Sequence, residues 1–217
     1  METRGTSGFT LLEMLTVIVI IGIILAIGIP AFTNLMKSGG LGAAARQVSN
    51  TLTLARQYAI TQRANVRVVF PYSGTGGPGT NYAPIYQSYA VVAISGTTTN
   101  YLSKWEHLPL GTVFMSDNPT PSLSGTLPYN LDFDLNKAPF PFPYTNSPNA
   151  TLAYVEFRPW GAASPGASAN VNLFTITEGV MNGSKVTPTS RTGSNTLANA
   201  AVISVDNVVG RIQVTRP

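Results

Sequence analysis

Cysteine does not occur among the 217 residues, which excludes a disulfide framework, a thiol nucleophile and a cysteine-ligated metal site. Histidine is nearly absent. His107 stands alone, leaving almost no room for histidine-based catalysis or a multi-histidine centre. It follows Trp105-Glu106 and precedes Leu108-Pro109, with no Ser or Cys partner in its sequence context, so packing is its default role. Charge is scarce as well: charged residues make up 10%, against roughly 25% in ordinary domains. Much of the surface must be Ser, Thr, Asn and Gly, a composition that suits an exported protein. The net charge of +4 says little about partners. Together these scarcities argue against an enzyme, and no cofactor is expected.

Apolar residues make up 44%, enough to bury a core, while 20 Gly and 16 Pro break up regular elements. The length fits one domain plus an appendage, since domains usually run about 100–200 residues. That appendage is at the N-terminus. After the short polar leader METRGTSG, residues Phe9 to Ile29 read FTLLEMLTVIVIIGIILAIGI, followed by Pro30. As a helix this run spans about 30 Å, enough to cross a bilayer core. In lipid the helix is favoured despite its β-branched residues, because every backbone polar group must be satisfied internally.

Glu13 conflicts with a plain anchor, because an intramembrane carboxylate is costly and points by default to function. The alternative is that Glu13 sits near the headgroups and snorkels to water. Its neighbours favour function. Gly8-Phe9-Thr10-Leu11-Leu12-Glu13 resembles the type IV prepilin signal: Gly before the cut, an aromatic after it, and Glu fifth in the mature chain. The resemblance implies cleavage between Gly8 and Phe9 by a prepilin peptidase, N-methylation of Phe9, and a helix-kinking role for Pro30. It also implies that Glu13 pairs with the freed amine of an adjacent subunit during filament assembly. The rival is a secretory signal peptide, whose apolar core runs 7–15 residues. This run is longer, and Ala26-Ile27-Gly28 before Ile29-Pro30 makes a poor cleavage site.

Ser38-Gly39-Gly40 should loosen the helix, since glycine is costly in a helix interior. Helical spacing then resumes: Leu41, Ala45, Val48, Leu52, Ala55 and Ala59 form one apolar stripe that should lie against a sheet. From Asn65 the period becomes two. Strands are predicted at 66–70, 89–94, 112–115, 152–158, 172–177, 202–205 and 211–215, the last two as a hairpin around Asp206 to Gly210. No helix separates them, so the sheet should be antiparallel. Tyr72 to Pro84, Asn118 to Asn149 and Met181 to Ala200 read as long irregular stretches. The expectation is an α+β fold, pilin-like, with a long N-terminal α-helix packed on an antiparallel β-sheet head. Its parts are a leader (1–8), an assembly helix (9–30), the amphipathic continuation (31–64) and the head (65–217).

Other candidate sites are weaker. GTGGPGTN lacks the Lys-Ser/Thr end and the following helix of a phosphate loop. Asn130, Asp132, Asp134 and Asn136 alternate like calcium ligands, but no Gly or Glu follows at EF-hand spacing. Tyr82, Tyr86, Tyr89 and Tyr101 suit a contact surface or, more simply, core and loop anchoring. Arg191, Arg211 and Arg216 would form a DNA-binding patch only if the fold gathered them.

Beyond the N-terminus, Trp105-Glu106-His107-Leu108-Pro109 with Gly111-Thr112-Val113-Phe114 is similar to a "W..LP.G..F" segment of GspH/FimT-type pseudopilins. Phe157-Arg158-Pro159-Trp160-Gly161 resembles their "F.P.G" turn, and Val205 to Ile212 their closing strand-turn-strand. Leu54-Ala55-Arg56 to Ala59-Ile60 is similar to their helix end. The resemblance implies a non-catalytic minor subunit of a type II secretion pseudopilus or type IV pilus. Its expected partners are a prepilin peptidase, other pilin subunits, the assembly machinery and the inner membrane, crossed once with the head outside the cytoplasm. A DNA-binding minor pilin is the alternative, a membrane-anchored or secreted enzyme a more distant one.

Overall fold

The computed structural model describes residues 10–75, 83–96, 98–120, 122–123, 129–132, 134–167 and 171–216; over residues 26–39 it describes the backbone alone. The chain divides into two compact units, Met1–Gly39 and Gly40–Pro217. Helix α1 (Leu11–Gln62) supplies residues to both, and its backbone is helical through Ser38-Gly39-Gly40, where the units meet in sequence. In the first unit the described side chains from Leu11 to Leu25 are exposed on every face of the helix. Among the described residues no helix is long and apolar enough to cross a membrane. The described part of the run stops at Leu25, short of the ~20 residues a crossing takes.

In the second unit α1 buries one stripe. Leu41, Ala44, Ala45, Val48, Leu52, Ala55 and Ala59 are all at most 2% exposed. Their spacing keeps them on one side of a 3.6-residue helix, and the alanines let the sheet approach closely. The helix ends in a Schellman-type turn: Arg63 takes a left-handed φ of 50°, and the Ala64 N–H donates to Ala59 O at 3.2 Å.

Among the described residues eleven strands follow in two sheets. The larger has the order β3 (Thr98–Tyr101), β2 (Ser88–Ser95), β1 (Asn65–Phe70), β7 (Asn149–Phe157), β6 (Asn136–Pro141), with β4 (Glu106–His107) also on β2. The smaller runs β11 (Ile212–Thr215), β10 (Ala200–Asp206), β8 (Val171–Asn182), β5 (Thr112–Phe114), with β9 (Lys185–Pro188) also on β8. The pairings are antiparallel. The α+β expectation is therefore met, with the head split between two sheets.

Two of the stretches expected to be irregular contain strands. β6 carries Pro139 and Pro141, which read against a strand; as an edge strand it leaves one side unpaired, where proline's missing N–H costs no ladder bond. β9 folds back on β8 through Gly183-Ser184, with Gly183 at φ 63°. β3 and β4, too short and polar for an alternation signal, were also outside the expected set.

The core lies where α1 and both sheets meet. Phe70 from the larger sheet packs on Phe114 and Phe174 of the smaller, with ring centroids 5.2 and 5.3 Å apart. Val66, Val68 and Phe70 face this core, whereas Val69 faces a second apolar cluster with Val92, Phe140, Phe142 and Leu152 on the sheet's other side. Period-two alternation thus serves two cores, and the loop around Phe142 covers the second.

Two buried tyrosines and the half-buried Tyr101 lock the periphery. The Tyr86 hydroxyl donates to both Asp132 carboxylate oxygens at 2.7 and 2.8 Å, Tyr89 to Glu106 at 2.9 Å, and Tyr101 to Pro141 O at 2.7 Å. Burial pushes all three phenols well above the usual tyrosine range, reinforced at Tyr86 and Tyr89 by the facing carboxylates. In the unfolded chain they ionise near pH 10. Above that pH the unfolded state binds fewer protons than the folded one, so stability falls as pH rises. The thermal midpoint of the detergent-solubilised chain is expected to hold to about pH 9 and to drop steeply beyond about pH 10. A midpoint unchanged at pH 11 would show these phenols to be accessible.

Candidate assembly site

The N-terminal site is built by a helix start. The Thr10 Oγ accepts the Glu13 N–H at 3.2 Å, while Glu13 Oε2 accepts both the Thr10 N–H and the Thr10 hydroxyl at 2.9 Å. This is a capping box, Thr at the cap and Glu three residues on, and it satisfies donors that a helix start leaves orphaned. It also fixes where Glu13 points. Both bonds fall on one carboxylate oxygen, and a carboxylate offers about four lone-pair sites, so capping does not exhaust it. The sequence reading gave Thr10 no role of its own; the Ser/Thr-x-x-Glu spacing carries the signal.

Around Glu13 the helix surface is mostly apolar: Leu11, Leu12, Met14, Leu15 and Val17 are 47–92% exposed, and the exposed Thr16 turns its hydroxyl back onto Leu12 O at 2.8 Å. A helix that is apolar all round calls for a lipid or protein environment. Gly8 and Phe9, the expected cleavage and methylation positions, lie outside the described residues. Pro30 lies within α1, in the stretch where the helical backbone alone is described.

In the head, sequence marks far apart converge on Arg56. Its Nε donates to Gly161 O at 3.0 Å, and a Cβ at Gly210 would overlap Gly161 O while lying 2.9 Å from Arg56 Nε. Gly161 and Gly210 both take left-handed φ, 86° and 63°. The turn after β7 and the turn between β10 and β11 are thereby stapled to the end of α1. Arg56 was read only as part of a helix end; nothing local in Leu54-Ala55-Arg56 announces a contact with two distant turns. The third mark works differently. Trp105 donates its indole N–H to Pro143 O at 2.8 Å and packs edge-on to Phe142, while Leu108 and Phe114 are buried. Trp105, Tyr101 and Tyr144 line an open groove with the exposed His107 and Lys104.

The remaining candidates resolve into structure. Asp132 accepts Ser73 Oγ at 2.6 Å and the Asp117 N–H at 3.1 Å in addition to Tyr86, so its carboxylate is the hub of an internal network. Burial, and then the Asp132 charge, raise the Asp117 carboxyl above its usual range. Among the described residues no group of three or more His, Asp or Glu is arranged to hold a metal. Most of the GTGGPGTN loop, with Tyr82, lies outside the described residues. The three arginines do not converge. Arg191 bonds Asn195, Arg216 lies against Gly42, and Arg211 sits at the other end of β11, about 17 Å away by strand rise.

The family model for the prokaryotic N-terminal methylation motif matches residues 3–29. That segment contains Gly8, Phe9 and Glu13, the residues on which the sequence reading turned. The crystal structure of the type IV minor pilin FimU from Pseudomonas aeruginosa (strain PAO1) is similar at 14% identity, covering 84% of this chain and 96% of that one with a TM-score of 0.43. No curated protein matches the chain.

Proposed function

We propose that this chain is a minor pilin or pseudopilin: a non-catalytic subunit that is cleaved, held in the inner membrane by its N-terminal helix and assembled into a type IV pilus or type II secretion pseudopilus. The observation that carries it is the methylation motif over residues 3–29, whose described helical part, Leu11 to Leu25, exposes aliphatic side chains all round and a single charge at Glu13. Hydrolysis of the Gly8–Phe9 bond turns a neutral amide into an α-amine, which is protonated near neutral pH. Methylation leaves that charge in place. Glu13, oriented by Thr10, supplies the opposite charge one helical turn away, where a neighbouring subunit's amine can reach it. An acid in an oily segment is tolerated once it is paired, so processing gates assembly.

The aliphatic run within the motif suits the same work. Interfaces between helices in lipid rest on packing and polar pairs rather than on a hydrophobic drive, and the run supplies long aliphatic side chains around one acid. The expected partners are the prepilin peptidase, other pilin subunits through α1 and the assembly machinery. The test is the mature N-terminus, which on this proposal is Phe9.

A further inference from the structure

Glu106 is an acid without a cation. Its Oε2 accepts the Tyr89 hydroxyl at 2.9 Å and the Thr51 hydroxyl at 3.3 Å, and both donors are buried. Oε1 accepts no hydrogen bond among the described residues, so half of the carboxylate's acceptor capacity is unused. No basic side chain among the described residues pairs with it; the ion pair that does form is Arg67 with Glu156. Glu106 lines a cavity of about 430 Å³ between α1 and the strands, walled by Leu54, Ala55 and Tyr58 of the helix together with Val91 and Leu102. It is the only charged residue that does so. Leu54 is 63% exposed and Tyr58 37%, one helical turn apart, so the mouth is apolar. The neighbouring groove shares Leu102 and Ser103 but carries Lys104 and His107. The sign of charge thus changes across Leu102-Ser103, and a positive guest suits the Glu106 cavity alone.

An apolar sleeve with one carboxylate in its lining fits a cation on an aliphatic stem. Lysine and arginine side chains have that build. The stem displaces water from Leu54 and Leu102, the cation meets Glu106 in a charge-assisted hydrogen bond, and the Tyr58 ring offers its face at the mouth. A half-buried acid between apolar walls is costly to leave unpaired, and the guest's charge removes that cost. Tyr89 and Thr51 already orient the carboxylate, so docking orders little of the head. The mouth is on the exposed side of α1, where a second polypeptide reaches it without the head opening. We propose that this cavity receives a Lys or Arg side chain of a partner protein lying along the flank of α1. The filament proposal enters only in saying where such a partner is met.

The test has two arms. In the first, N-butylguanidinium, an arginine side chain without its backbone, and its neutral isostere N-butylurea are titrated into the full-length chain in non-ionic detergent. Saturation-transfer NMR reads the binding. The cation is expected to bind saturably and at least roughly fivefold more tightly than the urea. Glu106→Gln can still accept from Tyr89 and Thr51, and it should erase that preference with the thermal midpoint unchanged. Equal binding of the two probes to the native chain, or a preference that survives Glu106→Gln, overturns the site. In the second arm a photo-crosslinking residue replaces Leu102 in cells. The expected adduct is a polypeptide, mapped by mass spectrometry to a segment that carries a Lys or Arg, and lost when Glu106→Gln is added. Adducts to lipid alone, or a polypeptide adduct that persists in the Gln variant, overturn docking by a protein side chain. Failure of the filament proposal looks different: the chain keeps its leader, while the probe titration is unaffected.

Discussion

Replacing Glu13 with Gln is expected to leave cleavage after Gly8 intact and to cut recovery of the chain in sheared filaments roughly tenfold or more. The substitution isolates charge. Glutamine serves at the third position of a capping box, so it can still accept from Thr10 and preserve the helix start. What it cannot do is neutralise an ammonium. If incorporation depends on the pairing of a carboxylate with a neighbour's new terminus, the processed subunit should accumulate in the membrane without entering filaments. Unchanged incorporation of the Gln variant would remove the charge pair from the mechanism and leave Glu13 as a helix cap alone.

The second large effect concerns the head. Gly210→Ala is expected to destabilise it by about 2–5 kcal/mol, from about 1–2 for a left-handed backbone and about 1–3 for overpacking. The overpacking arises because the new Cβ meets Gly161 O and the Arg56 side chain, neither of which can retreat without breaking the Arg56–Gly161 bond. Gly183→Ala is the control. Its φ is also 63°, but nothing lies within 4 Å of the added Cβ, so it should bear the backbone cost alone. Urea unfolding of the two variants separates the terms. Equal losses would mean that the two turns are not held together at the end of α1.

Much of the architecture was legible in the sequence because its signals are local. The stripe from Leu41 to Ala59 is buried residue for residue, and the predicted strands fall within β1, β2, β5, β7, β8, β10 and β11, give or take an end residue. What escaped depends on distant partners. β6 is a strand because β7 offers an edge that tolerates Pro139 and Pro141, and no window around those prolines shows it. β9 exists because Gly183-Ser184 returns the chain onto β8. The site divided the same way. The sequence singled out Glu13 as an acid in an apolar run, but its partner Thr10 was overlooked because the run was read for membrane insertion and not for capping. Arg56 could not be singled out, since its role requires Gly161 and Gly210 to arrive from the other end of the chain.

Asp132 shows how a pattern changes meaning in three dimensions. Acids and amides from Asn130 to Asn136 alternate like ligands without the spacing of a calcium loop, and in the fold Tyr86, Ser73 and Asp117 donate to the Asp132 carboxylate. The arginines of the C-terminal region went likewise: Arg211 and Arg216 flank opposite ends of β11, and Arg191 bonds Asn195 in the loop before β10.

Every assembly step proposed for this chain begins with one hydrolysed peptide bond. Intact mass and N-terminal sequencing of the native chain, isolated from cells that hold the peptidase, measure it directly. A chain that starts at Phe9 and carries the mass of one added methyl group is the expected product. A native chain that still begins at Met1, or one cut near Ile29, contradicts a filament subunit and leaves Glu13 without an amine to meet.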